Sequence, residues 1–86
     1  MASVDDACAM TAALLAQRTP DGSICPSEVA RGLAAADASP FLDWRDAMPT
    51  VHAAVDRLVS AGSVRLSWKG KPLPARSGPY RIRRGE

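Results

Sequence analysis

The sequence predicts an α+β domain, mainly helical, in which three to four helices lead into a small antiparallel β-hairpin. Three observations predict it. Sixteen of the 86 residues are alanine, the strongest helix former. Apolar residues recur at helical spacing as far as Leu58, and the period changes to two at Val64. A chain of 86 residues can bury one core and not two, so residues 1–86 read as a single domain.

The first helix is expected to begin after Ser3, with Asp6 at the capping-box position. Val4, Ala7, Cys8, Thr11, Leu14 and Leu15 give it a buried stripe, and it should end near Gln17 or Arg18. Thr19-Pro20-Asp21-Gly22 is a turn signal, and Ser23-Ile24-Cys25 a short extended piece. Pro26 suits the first position of a second helix and Glu28 its third. Val29, Ala30 and Leu33 are its apolar stripe, and it fades near Ala36. Cys25 stands at the cap, where Ser or Thr is commoner.

A connection from Asp37 to Asp43 follows, and Asp43 can cap the next segment with Asp46 at the capping-box position. Pro49 splits that segment into a short turn, Trp44–Met48, and a main helix. Val51, Ala54, Val55 and Leu58 line that helix, and Gly62 ends it. Val64, Leu66 and Trp68 then alternate with Arg65, Ser67 and Lys69, as in a half-buried strand. Lys69 to Pro79 reads as a loop, and Tyr80-Arg81-Ile82-Arg83 as the returning strand. The core is expected to hold Leu14, Leu15, Ile24, Val29, Leu33, Trp44, Val51, Val55, Leu58, Val64, Leu66, Trp68 and Ile82.

Helix, extended piece, helix, helix, strand, basic loop, strand is the element order of a winged helix-turn-helix domain. The run from Val51 to Val64 resembles the recognition helix and first wing strand of many bacterial regulators. Its stripe seats the helix, its Gly reverses the chain, and the next apolar residue pins the hairpin.

Four segments carry a closer resemblance. They are Ile24-Cys25-Pro26-Ser27-Glu28-Val29-Ala30-Arg31, Trp44-Arg45 with Met48-Pro49, Val55-Asp56-Arg57-Leu58-Val59 with Gly62, and Lys69-Gly70-Lys71-Pro72. Through them nearly the whole chain resembles an uncharacterised bacterial family, the domain of unknown function numbered 3253. The resemblance implies a winged-helix-like fold and no assigned activity.

Charge is segregated along the chain. Residues 1–56 carry three basic and eight acidic side chains, and residues 57–86 carry eight basic and one acidic. That asymmetry points to a basic surface for an anionic partner. Double-stranded DNA is the first expectation. Arg65, Lys69, Lys71, Arg76, Arg81 and Arg83 would meet phosphates, with Arg45, Thr50, His52 and Arg57 near the groove. Asp56 and Ala53 make the main helix a poor base reader, so shape-driven or weak binding is expected over sharp sequence readout. The rival expectation is a protein-interaction module whose basic wing meets an acidic partner. A contiguous exposed apolar patch on the first helix, or a dimer through it, would distinguish that rival.

No catalytic site, cofactor or metal is expected. His52 and Asp56 stand one turn apart, but a third ligand is not evident, and a single histidine leaves no triad. A surface His beside a solvated Asp is the simpler reading of that pair. Cys8 and Cys25 lack metal or disulfide-framework spacing, and a bridge between them is the minor alternative. The N-terminus opens on Asp5 and Asp6 instead of a basic region, and no apolar stretch would cross a bilayer. A cytoplasmic location without membrane contact is the expectation. Oligomeric state is not readable from the chain.

Overall fold

The computed structural model describes residues 3–19, 21–36, 41 and 43–85. Pro20 and most of the connection expected between Asp37 and Asp43 lie outside them. Helix α1 spans Val4–Ala16. Ser3 Oγ accepts the Asp6 amide at 3.2 Å, and Asp6 Oδ2 accepts the Ser3 amide at 3.0 Å, closing the expected capping box. Thr11 is fully buried on this helix, and its hydroxyl is satisfied by donating to Ala7 O at 2.8 Å. The Thr19 carbonyl accepts from Gly22 N–H at 2.8 Å, as the turn signal requires.

Strand β1 is Ser23–Ile24, and helix α2 runs Pro26–Ala35. Glu28 Oε2 reaches back to the Cys25 amide at 2.7 Å, so the acidic third position caps a helix whose cap residue is a poor capper. Gly32 lies where α2 meets α1; a Cβ there would come within 2.9 Å of Met10 Sδ. A 3₁₀ turn, Trp44–Ala47, precedes helix α3, Met48–Ser60. Asp43 Oδ1 accepts the Arg45 amide at 3.1 Å and opens the turn, and Pro49 falls in the first turn of α3, where its missing N–H costs nothing. The split anticipated around this proline is therefore real. Gly62, at φ 75°, ends α3. Ser63 N–H bonds Leu58 O at 2.9 Å and Gly62 N–H bonds Val59 O at 3.0 Å, the paired bonds of a Schellman cap.

The strands depart from the expected hairpin. Strands β2 (Val64–Trp68), β3 (Lys71–Leu73) and β4 (Arg81–Arg84) join β1 in a four-stranded antiparallel sheet of order β1-β4-β2-β3. The stretch read wholly as loop thus contains a strand. Lys69 and Gly70 both take positive φ, 52° and 81°, and Trp68 pairs directly with Lys71. Two left-handed residues between paired strands match the right-handed twist and reverse the chain at once. Pro72 is tolerated because β3 is the sheet edge.

Across the sheet, Ile24 pairs with Ile82, Ile82 with Leu66, and Leu66 with Leu73. This row faces the helices. Ile24, Leu66 and Ile82 are buried with Leu15, Val29, Leu33, Val51, Val55 and Val64, as expected. Leu14, Trp44 and Leu58 are half-buried and pack against that cluster. Alanines complete it: Ala7, Ala30, Ala47 and Ala54 are fully buried, so small residues set how closely the helices approach. Tyr80 joins the core at 4% exposed. Trp68 does not: it is 38% exposed. Alternation puts it on the core side, but it is the last residue of β2, where the helical layer no longer covers the sheet.

Candidate functional site

Strand alternation places Arg65, Arg81 and Arg83 on the sheet face opposite the helices, and all three are exposed. Arg65 stands directly opposite Arg83, and Ser67 opposite Arg81. Directly opposed like charges destabilise a sheet. Arg81 leans on β1, donating from Nε to Ser23 Oγ at 2.8 Å and from its guanidinium to Ser23 O at 3.2 Å. Arg83 donates to Asp21 O at 3.0 Å. Both acceptors are neutral, neither arginine forms an ion pair among the described residues, and Asp21 lines the same face. A shallow concavity of about 630 Å³ runs along this face, lined in part by Arg65, Ser67, Pro72 and Arg83. Lys69 and Lys71 are exposed at the β2–β3 turn.

The other expected contacts sit differently. Four ion pairs form among the described residues, and they take Arg18, Arg45, Arg57 and Arg76. Arg45 pairs with Asp43 at 3.3 Å, and its guanidinium lies 4.6 Å from the Trp44 ring centroid. The Arg31 guanidinium also lies over that ring, at 4.8 Å. Arg57 pairs with Asp5 across the α1–α3 packing. Arg76, in the β3–β4 loop, grips Asp56 of α3 through two bonds of 3.1 Å. That bond holds the Asp56 carboxyl below its ordinary range and raises the Arg76 pKa.

His52 is not the solvated surface group expected. It is half-buried, and its Nδ1 lies 2.7 Å from Tyr80 Oη. Burial lowers its pKa first and the Arg76 charge lowers it further, against an opposing pull from Asp56. Burial likewise pushes the Tyr80 hydroxyl up to about 12. Together with the Asp56–Arg76 pair, this contact straps the β3–β4 loop to α3. Thr50 is half-buried in the first turn of that helix. The sheet thus brings Arg65, Arg81 and Arg83 together, with Lys69 and Lys71 at its turn, while Arg45, Arg57 and Arg76 are tied to carboxylates elsewhere.

The sequence reading, which counted Arg84 only as added charge at the tail of the wing, missed the cap it makes. Its guanidinium donates to Leu15 O at 2.9 Å and Arg18 O at 3.0 Å, capping the C-terminal end of α1, which has no basic residue in its own last turn. No local signal could have found this, because the partners lie 69 and 66 residues apart. Cys8 and Cys25 are free thiols. Ser27 Oγ donates to Cys25 Sγ at 3.1 Å. Among the described residues no three His, Cys, Asp or Glu side chains gather as a metal site would need. No described helix is long and apolar enough to cross a membrane.

The sequence profile of one family matches residues 5–85. The chain belongs to the family described as protein of unknown function (DUF3253). No curated protein matches it. Of the segments that carried the resemblance, one opens a helix and one reverses the chain between strands in this DUF3253 chain. Cys25 to Glu28 forms the start of α2, and Lys69-Gly70 forms the β2–β3 turn.

Proposed function

We propose that the domain is a winged helix that binds the sugar–phosphate backbone of double-stranded DNA through its sheet and wing. The order α1-β1-α2-α3-β2-β4, with β1 beside β4 and β4 beside β2, supports the winged-helix reading, in which β3 would be a strand added within the wing. One observation carries the binding reading. Arg18, Arg45, Arg57 and Arg76 meet carboxylates and Arg31 lies over the Trp44 ring, whereas Arg65, Arg81, Arg83, Lys69 and Lys71 have no ion pair among the described residues. Arg65 and Arg83 even face each other directly. A phosphate lattice supplies the counter-charge such a surface lacks.

Base reading through α3 is disfavoured. Asp56 and Arg57 are held in ion pairs and His52 is held on Tyr80, so each would have to leave its partner to reach a base edge. Binding is therefore backbone-driven and weakly selective. The test is fluorescence anisotropy of a labelled random duplex at about 50 and about 200 mM salt. Micromolar binding that collapses at the higher salt supports the reading, and absence of binding at the lower salt overturns it.

A protein-interaction role is the second reading. Ala9, Ala12, Ala13 and Ala16 are all exposed along α1, and an apolar recess beside them is lined by Leu15, Leu58 and Val64. A concentration-dependent dimer that leaves duplex DNA unbound would favour it.

A further inference from the structure

We infer that the β2–β3 turn is a base-stacking element, in which Trp68 takes the face of an unstacked nucleobase while Lys69 and Lys71 hold the flanking phosphates. The inference rests on the backbone-binding reading above and adds a second kind of contact to it. Trp68 is the one large apolar side chain exposed among the described residues. The alternation of β2 would have buried it, yet it is 38% exposed at the last position of the strand. It stands directly opposite Lys71 in the ladder, one residue before Lys69. Around Gly70 the space is open, with no atom within 4 Å of where a Cβ would stand. The turn is a tight two-residue reversal, with both residues at positive φ between paired strands.

An indole beside two unpaired ammonium groups is the composition that single-stranded nucleic acids select. Stacking is sequence-tolerant because every base has a π-face, and the lysines supply the salt-dependent part. In an intact duplex the faces of the bases are already covered by their neighbours. Stacking on Trp68 therefore requires a base that is unpaired or easily unstacked. An unpaired or unstacked base should consequently add a contact that a perfect duplex does not offer. Trp68 should account for that added contact, and the sheet arginines for what both ligands share.

The test uses the whole chain and labelled DNA of about one dozen nucleotides in three forms: single-stranded, duplex, and single-stranded with abasic sites replacing the bases. The wild type should bind the single strand and the duplex, and the intact single strand more tightly than the abasic one. Trp68→Ala should lose about 10- to 100-fold on the single strand, the range expected for one stacked base. It should change little on the duplex or the abasic strand, and the salt slope should stay as it was. Trp68→Phe should keep most of the affinity, and its thermal melt separates loss of stacking from loss of fold. Unchanged single-strand affinity in Trp68→Ala, or an equal loss on the abasic strand, would overturn the stacking role while leaving the backbone reading intact. A wild type that binds none of the three overturns both.

Discussion

Replacing Lys71 by alanine should remove one phosphate contact and nothing else. Lys71 is exposed, and no ion pair holds it among the described residues. If Arg65, Lys69, Lys71, Arg81 and Arg83 each neutralise one phosphate, log K against log salt has a slope of about −4.5. A fourfold rise in salt then weakens binding about 500-fold. With one contact gone the slope relaxes to about −3.6, and the same rise weakens binding only about 150-fold. Arg65→Ala should behave alike, since Arg65 is on the outward face opposite Arg83. Arg76→Ala is the internal control. Its guanidinium is bidentate on Asp56, so its loss should shift the slope by well under one contact. The assay is a duplex titration at several salt concentrations, with two unrelated sequences. An unchanged slope in Lys71→Ala, or a loss confined to one of the two sequences, would refute the phosphate assignment.

Three further outcomes follow from the fold. Ile82→Ala empties the middle of the Ile24–Ile82–Leu66 row and should cost about 2–5 kcal/mol, a large share of what a domain of this size has. The urea midpoint should fall sharply with little change in slope, and a midpoint within error of the wild type would contradict the assigned core. Arg84→Ala uncaps α1 at Leu15 and Arg18 and should cost about 1 kcal/mol, or roughly 4–8 °C in Tm. Faster amide exchange should appear in the last turn of α1, and a Tm equal to the wild type would refute the cap. For pH, His52 binds its proton less readily folded than unfolded. Stability from its neutral form is present above the unfolded pKa of about 6.5 and declines as pH falls below it. Tyr80 ionises near 12 in the fold against 10.0 unperturbed, so its contribution is present below about pH 10 and is lost as pH rises through about 12. Tyr80 is the only tyrosine, so phenolate absorbance reads its titration directly. A midpoint near its ordinary value would show that the Tyr80 hydroxyl is not buried against His52.

Local chemistry made most of the helical part legible. Ser3 and Asp6, Pro26 and Glu28, Asp43, Pro49 and Gly62 act on backbone groups within a few residues, so each announces its helix boundary in the sequence. Alternation correctly turned Arg65, Arg81 and Arg83 outward, because strand geometry fixes that direction. It failed for Trp68, since period two says which face a residue takes and not how far the covering layer extends. Strand β3 was hidden for a related reason. Its turn requires positive φ at Lys69 as well as Gly70, and lysine seldom signals that conformation. By itself, then, the sequence determined the order of every element but β3, the local helix caps and the charge asymmetry between the two parts of the chain. Only the tertiary structure decided which cations are paired. Asp5 with Arg57, Asp56 with Arg76, and Arg84 with the end of α1 are pairings between distant segments. They form because packing brings those groups within hydrogen-bond reach, which no local pattern encodes.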